Sequence, residues 1–149
     1  MSSVHAKIKI QAPIERVWET IMDPNRLGDW VTIHRSVKDV SDSPLTKGAT
    51  MDQVMHMRGV TFRVHWTLSA IETPHHAEWE GRGLAHSYAR ICYDLSGDGD
   101  GPTEFEYTNE FTPPGGRLGN AASRVIAGPA PEREAHNSLS RLKALLERN

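Results

Sequence analysis

The sequence predicts an α+β fold: a curved antiparallel sheet wrapped around one long C-terminal helix, with two short helices after the first strand. Three observations predict it. The first ten residues alternate apolar with polar, positions 31–113 carry six further strand-like stretches joined by short turns, and beyond residue 115 the apolar spacing lengthens to three and four. At 149 residues the chain fits one domain, 1–149, because two domains of half that size would each bury too little surface.

In the first segment Val4, Ala6, Ile8 and Ile10 share one phase and His5, Lys7 and Lys9 the other, the pattern of a half-buried strand that stops at Ala12-Pro13. Ile14, Val17, Trp18, Ile21 and Met22 then form one stripe of a short amphipathic helix, with Pro13 near its first turn. Asp23 is placed to cap a second helical turn through Leu27. Gly28 is expected in the left-handed position that closes this turn before Asp29-Trp30.

The strand-like stretches that follow are separated by Ser41-Asp42-Ser43-Pro44, Arg58-Gly59, Thr73-Pro74, Gly81-Arg82-Gly83 and the Gly/Asp-rich run 96–102. Links this short imply antiparallel neighbours. Phe62, Val64, Trp66 and Leu68 share a face opposite Arg63, His65, Thr67 and Ser69, and Ala77 and Trp79 oppose His76, Glu78 and Glu80. Ala89, Ile91, Tyr93 and Leu95 oppose Tyr88, Arg90 and Asp94, and Phe105, Tyr107, Asn109 and Phe111 oppose four Glu or Thr residues. One sheet face is therefore apolar and the other polar. Leu118, Ala121, Ala122 and Val125, then Ala135, Leu139, Leu142, Leu145 and Leu146, keep helical spacing, and only this segment is long enough to cover the apolar face. Pro129 and Pro131 are expected to kink or interrupt that helix near Gly128.

Composition excludes several classes. No stretch approaches the ~18 apolar residues of a membrane span, and the N-terminus lacks the apolar centre of a signal peptide, so a cytoplasmic protein with no stable membrane insertion is expected. The lone Cys92 forms no intrachain disulfide and reads as a buried small residue. Residues 117–149 hold six Lys/Arg against three Asp/Glu, too weak an excess to indicate nucleic-acid binding. The sequence leaves homodimerisation open. Phosphate-loop, dinucleotide and nucleophile-elbow motifs are absent, zinc-type ligand spacing is absent, and no cofactor or metal is expected.

The order of elements, together with Ala12-Pro13-Ile14-Glu15-Arg16-Val17-Trp18, Asp23-Pro24, Asp29-Trp30, the strand Phe105–Phe111 and the closing Ser138–Glu147, resembles the polyketide cyclase/dehydrase and lipid-transport family of the START-like (SRPBCC, birch-pollen-allergen-like) superfamily. The resemblance covers essentially the whole chain. It implies a helix-grip fold in which a seven-stranded sheet grips the last helix around a cavity, and relatives that bind lipids, hormones or quinones, or cyclise polyketides, on one scaffold.

Within that cavity the expected wall residues are the inward-phase Met55, Met57, Trp66, Trp79, Tyr93 and Tyr107, with Trp30 at the entrance and Val125 on the helix. Gln53 and Asn109 are the polar residues on the inward phase. Their amides are either structural or positioned to orient a ligand carbonyl or hydroxyl. His65, His76 and His86 fall on the outward phase, away from an enclosed substrate. Some cyclase relatives use pocket Arg, Tyr and Ser; here Arg90 and Tyr88 are outward and only Ser87 is inward, so no catalytic residue is assigned. The sequence therefore points to binding or carriage of a hydrophobic or amphipathic molecule. A cyclase/dehydratase-type enzyme is the alternative and a protein-interaction module the third option.

Overall fold

The computed structural model describes residues 2–42, 44–83, 86–97, 99–112 and 129–148. Seven strands form one fully antiparallel sheet: β1 (Ser2–Ile10), β2 (His34–Lys38), β3 (Thr50–Met57), β4 (Val60–Glu72), β5 (His76–Arg82), β6 (Tyr88–Gly97) and β7 (Thr103–Thr112). Their order is β1-β7-β6-β5-β4-β3-β2. Every neighbour from β2 to β7 is thus a hairpin partner, and only the step from β1 to β2 crosses from one sheet edge to the other. That crossing carries the short helices α1 (Ile14–Ile21) and α2 (Leu27–Trp30), joined by a 3₁₀ turn (Pro24–Arg26), across the open end of the curved sheet.

Local chemistry explains each piece of the crossing. Ile14, Val17, Trp18 and Ile21 are buried along one face of α1. Asp23 Oδ1 accepts from Asn25 N at 2.9 Å and so caps the 3₁₀ turn, as expected. Gly28 does not end that turn in a left-handed conformation. It lies inside α2, where an added Cβ would come no closer than 3.5 Å to the His34 ring.

The C-terminal helix α3 spans Ala130–Glu147. Pro129 and Pro131 do not kink it from within: Pro129 is the N-cap and Pro131 sits in the first turn, where a missing N–H breaks no helical bond. The expected break near Gly128, and Leu118 to Val125 before it, lie outside the described residues. Ala135, Ser138, Leu139, Leu142 and Leu146 are the buried face of α3, and they lie on β1, α2 and the concave side of the sheet. At its far end Lys143 Nζ donates to Lys9 O at 2.8 Å, and Glu147 Oε2 accepts from Gln11 N at 2.8 Å.

The alternation of faces holds along β3, whose residues read half-buried and buried by turns, and along β5. Cys92 is a correction: it is half-buried on the outer face of β6, between Glu78 and Thr108, and desolvation raises its thiol pKa. That outer face is a lattice of ion pairs. Arg90 pairs with Glu78 and, at 3.6 Å, with Glu110, while His76 lies between Asp94 at 2.6 Å and Glu78 at 2.9 Å. Among the described residues no helix is long and apolar enough to cross a membrane.

One glycine is required by close approach. Gly81 occupies an inward position of β5, and a Cβ there would stand 2.6 Å from both the Trp66 ring and Val64. Gly81→Ala is therefore expected to lower stability by about 1–3 kcal/mol through overpacking, read as a shifted denaturant midpoint, and to alter the Trp66 fluorescence environment. A neutral effect on both would mean that Trp66 has room to retreat.

Candidate functional site: an aromatic cavity

Between the concave face of the sheet, α2 and α3 lies a cavity of about 290 Å³. Of the ten residues expected on its wall, nine line it: Gln53, Met55 and Met57 from β3, Trp66 from β4, Trp79 from β5, Tyr93 from β6, Tyr107 and Asn109 from β7, and Trp30 from α2. The tenth, Val125, lies outside the described residues. The strands deliver these side chains because every second residue points inward and the pairing is in register. Met55 stands opposite Phe62, Gln53 opposite Val64, and Tyr93 opposite Tyr107.

Trp30 is not at the entrance. It is 2% exposed and packs edge-on against Tyr93 and Phe105, with ring centroids 6.2 and 6.3 Å away, so it forms part of the buried wall. Tyr93 in turn meets Phe105 at 5.4 Å and Tyr107 at 6.2 Å. Desolvation pushes the Tyr107 hydroxyl up to about 12, against the opposing pull of the Asn109 side chain. Desolvation, helped by Tyr107, raises Tyr93 further. Both phenols are neutral throughout the physiological range and act there as hydrogen-bonding groups.

The two inward amides have different surroundings. Trp66 Nε1 donates to Gln53 Oε1 at 2.8 Å, and Gln53 Nε2 lies 2.9 Å from His34 Nδ1. An indole N–H only donates, so the Gln53 carbonyl must face it and the Gln53 NH₂ must face His34. His34 Nδ1 is consequently the acceptor, which makes His34 a neutral imidazole; burial lowers its pKa in the same direction. Gln53 thus holds Trp66 in place, with both ends of its amide engaged. Asn109 is the opposite case, because its Oδ1 is buried and has no hydrogen-bond partner among the described residues. Trp30 Nε1 is likewise buried and unpaired among them.

The sequence pattern missed other parts of the site. Thr32 Oγ1 donates to Glu134, and Thr32 N donates to Ser138 Oγ at 3.1 Å, which ties the segment after α2 to α3 at the cavity's edge. Met51 also lines the wall and could have been found, since it shares the phase of Gln53 and Met55. Ser87 borders the cavity as expected, and Tyr88 touches its margin while its hydroxyl donates to Glu80 at 3.2 Å. His65 is exposed beside Asp52, and His86 is exposed.

The family model for polyketide cyclase/dehydrase and lipid transport proteins matches residues 1–147. The chain belongs to that family. Members of this family share the START-like helix-grip fold, and the protein TTHA0849 from Thermus thermophilus superposes on 98% of the chain and 97% of its own length, with TM-score 0.77 at 17% identity. DynU16, a protein of the dynemicin biosynthetic locus, superposes on 99% of the chain with TM-score 0.66 at 19% identity. The chain spans 48% of that longer protein. In sequence, the toxin Rv0910 of Mycobacterium tuberculosis is 25% identical over 84 residues, which is 56% of this chain and 58% of that relative. The chain thus spans little more than half the length of the curated relative. Family membership supports a hydrophobic ligand-binding fold.

Proposed function

We propose that the chain binds and carries a hydrophobic or amphipathic small molecule, such as a lipid, a quinone or a polyketide-like ring, in this cavity. The observation that carries this reading is the wall itself: tryptophans, tyrosines and methionines around about 290 Å³, reached among the described residues by no ionised side chain from the inner face of β3, β5, β6 or β7. Covering ~200 Å² of apolar ligand surface there contributes about 5 kcal/mol before any polar contact. The methionine side chains adapt to more than one ligand outline.

The cyclase/dehydratase alternative requires a proton donor or acceptor near neutral pH on that wall. Tyr93 and Tyr107 titrate too high for that role, the Glu134 carboxylate at the cavity's edge is engaged by Thr32, His34 is engaged by the Gln53 amide, and His65, His76 and Arg90 stand on the outer face. These placements favour binding over turnover.

Native mass spectrometry of gently purified protein is expected to show a non-covalent adduct of a few hundred daltons. The neutral dye N-phenyl-1-naphthylamine is expected to bind at one site with enhanced emission. Repeated purification without an adduct, together with no dye binding, would overturn the proposal.

A further inference from the structure

This inference rests on the binding reading and concerns the control of that same site. Three side chains form a hydrogen-bonded row from the sheet edge to the cavity wall: His34 on β2, Gln53 on β3 and Trp66 on β4. The indole at one end can only donate, and this fixes the direction of both bonds. Trp66 Nε1–H donates to Gln53 Oε1 at 2.8 Å, so Gln53 Nε2 donates to His34 Nδ1 at 2.9 Å, and that nitrogen carries no proton. Protonating it sets two donors against each other. Turning the Gln53 amide over does not restore the row, because its carbonyl would then serve the imidazolium while its NH₂ met the Trp66 N–H. Trp66 has little space to give way. It is 4% exposed, and Gly81 lies so close that an added Cβ would stand 2.6 Å from the ring.

We propose that His34 is a positioning residue that couples the cavity to pH: unprotonated at Nδ1 it keeps Trp66 in the wall and the ligand bound, and its protonation breaks the row and releases the ligand. Gln53 and Trp66 line the cavity and His34 does not, so His34 acts through them. The charges on the surrounding elements are engaged elsewhere or exposed. On α2, which packs over the His34 ring at Gly28, Asp29 is paired with Arg26 at 2.9 Å. On β3, Asp52 is bound to His65 at 2.7 Å and His56 to Thr61 at 2.8 Å. Arg35 and Lys38 of β2 and Arg63 of β4 are exposed, and Glu134 of α3 is engaged by Thr32. Desolvation lowers the His34 pKa from 6.5, so the row is intact at neutral pH and breaks on the acid side. Ligand and proton then oppose each other, and each weakens the binding of the other by the same factor.

Titrations with N-phenyl-1-naphthylamine test the switch, because the dye stays uncharged at mildly acidic pH. Its affinity is expected to be level from about pH 8 to about pH 6.5 and about three- to tenfold weaker at about pH 5, measured where far-UV circular dichroism is unchanged. His34→Asn places an amide oxygen where Nδ1 stands and cannot titrate. Its affinity should be level over the whole range, whatever its value at neutral pH. A second measurement needs no variant to fold: in wild-type protein the Trp66 indole N–H resonance should shift with the same midpoint as the His34 ring. A wild-type affinity independent of pH, a slope that survives His34→Asn, or a Trp66 resonance that ignores the His34 midpoint would overturn the inference and leave the binding reading standing. No dye binding at any pH, with no adduct in the native mass spectrum, would overturn both.

Discussion

Replacing Leu142 with alanine is expected to destabilise the protein by about 2–5 kcal/mol, measured as a lower urea midpoint at unchanged slope. Leu142 is completely buried, and with Leu139 and Leu146 it forms the ridge by which α3 fills the concave side of the sheet. The sheet bends around that ridge, so the vacated volume can be recovered only by moving the helix, and α3 is restrained at both ends. Near its start Thr32 holds Glu134 and Ser138; near its finish Lys143 and Glu147 reach Lys9 and Gln11. Lys143→Ala, at the neighbouring position on a solvated pair, is expected to cost less than about 1 kcal/mol. The contrast tests whether apolar burial or the polar clasp secures the grip. A Leu142→Ala loss below about 1 kcal/mol, or one matched by Lys143→Ala, would contradict the first.

Much of this architecture is legible in the sequence because the sheet has one dry face. Alternation in β4 to β7 places Trp66, Trp79, Tyr93, Tyr107 and Asn109 inward without any tertiary information, and the structure keeps each of them there. Departures arise where alternation is broken by geometry. In β2, His34 and Val37 differ in phase, yet a register shift between His34 and Ser36 pairs His34 with Met55 and Val37 with Gln53, which brings both to the inner face. His34 is invisible as a site neighbour for that reason. A second shift between Leu68 and Ala70 places Ile71 opposite Ala77 by the same device. The prolines before α3 satisfy two readings of a helical pattern, a kink or a start, and only the position of the first turn decides between them. Trp30 ends a short helix, so its direction depends on how the crossing from β1 to β2 is laid over the sheet, which no local pattern encodes.

Gln53→Leu is expected to cost about 1–3 kcal/mol, because it strands the buried Trp66 indole N–H and also unpairs the half-buried His34 imidazole. The Trp66 indole N–H loses its acceptor and His34 Nδ1 its donor. Since Trp66 lines the cavity, the same change should weaken dye binding even in the folded fraction. Gln53→Glu makes the argument sharper. A carboxylate still accepts from Trp66, but its second oxygen then faces His34, and only a protonated imidazole can donate to it. In the wild type, burial holds the His34 pKa below 6.5, so its contribution to stability is present above that value and lost as pH falls through it. With glutamate at 53 the folded-state pKa of His34 rises, so that contribution is present below 6.5 and lost as pH rises. The difference in unfolding free energy between Gln53→Glu and wild type should therefore shrink from about pH 8 to about pH 5. His76, whose pKa is raised by Glu78 and Asp94, is common to both proteins and cancels in that difference. A difference independent of pH would show that His34 and residue 53 do not share a proton, and that Trp66 is held by packing against Gly81 alone.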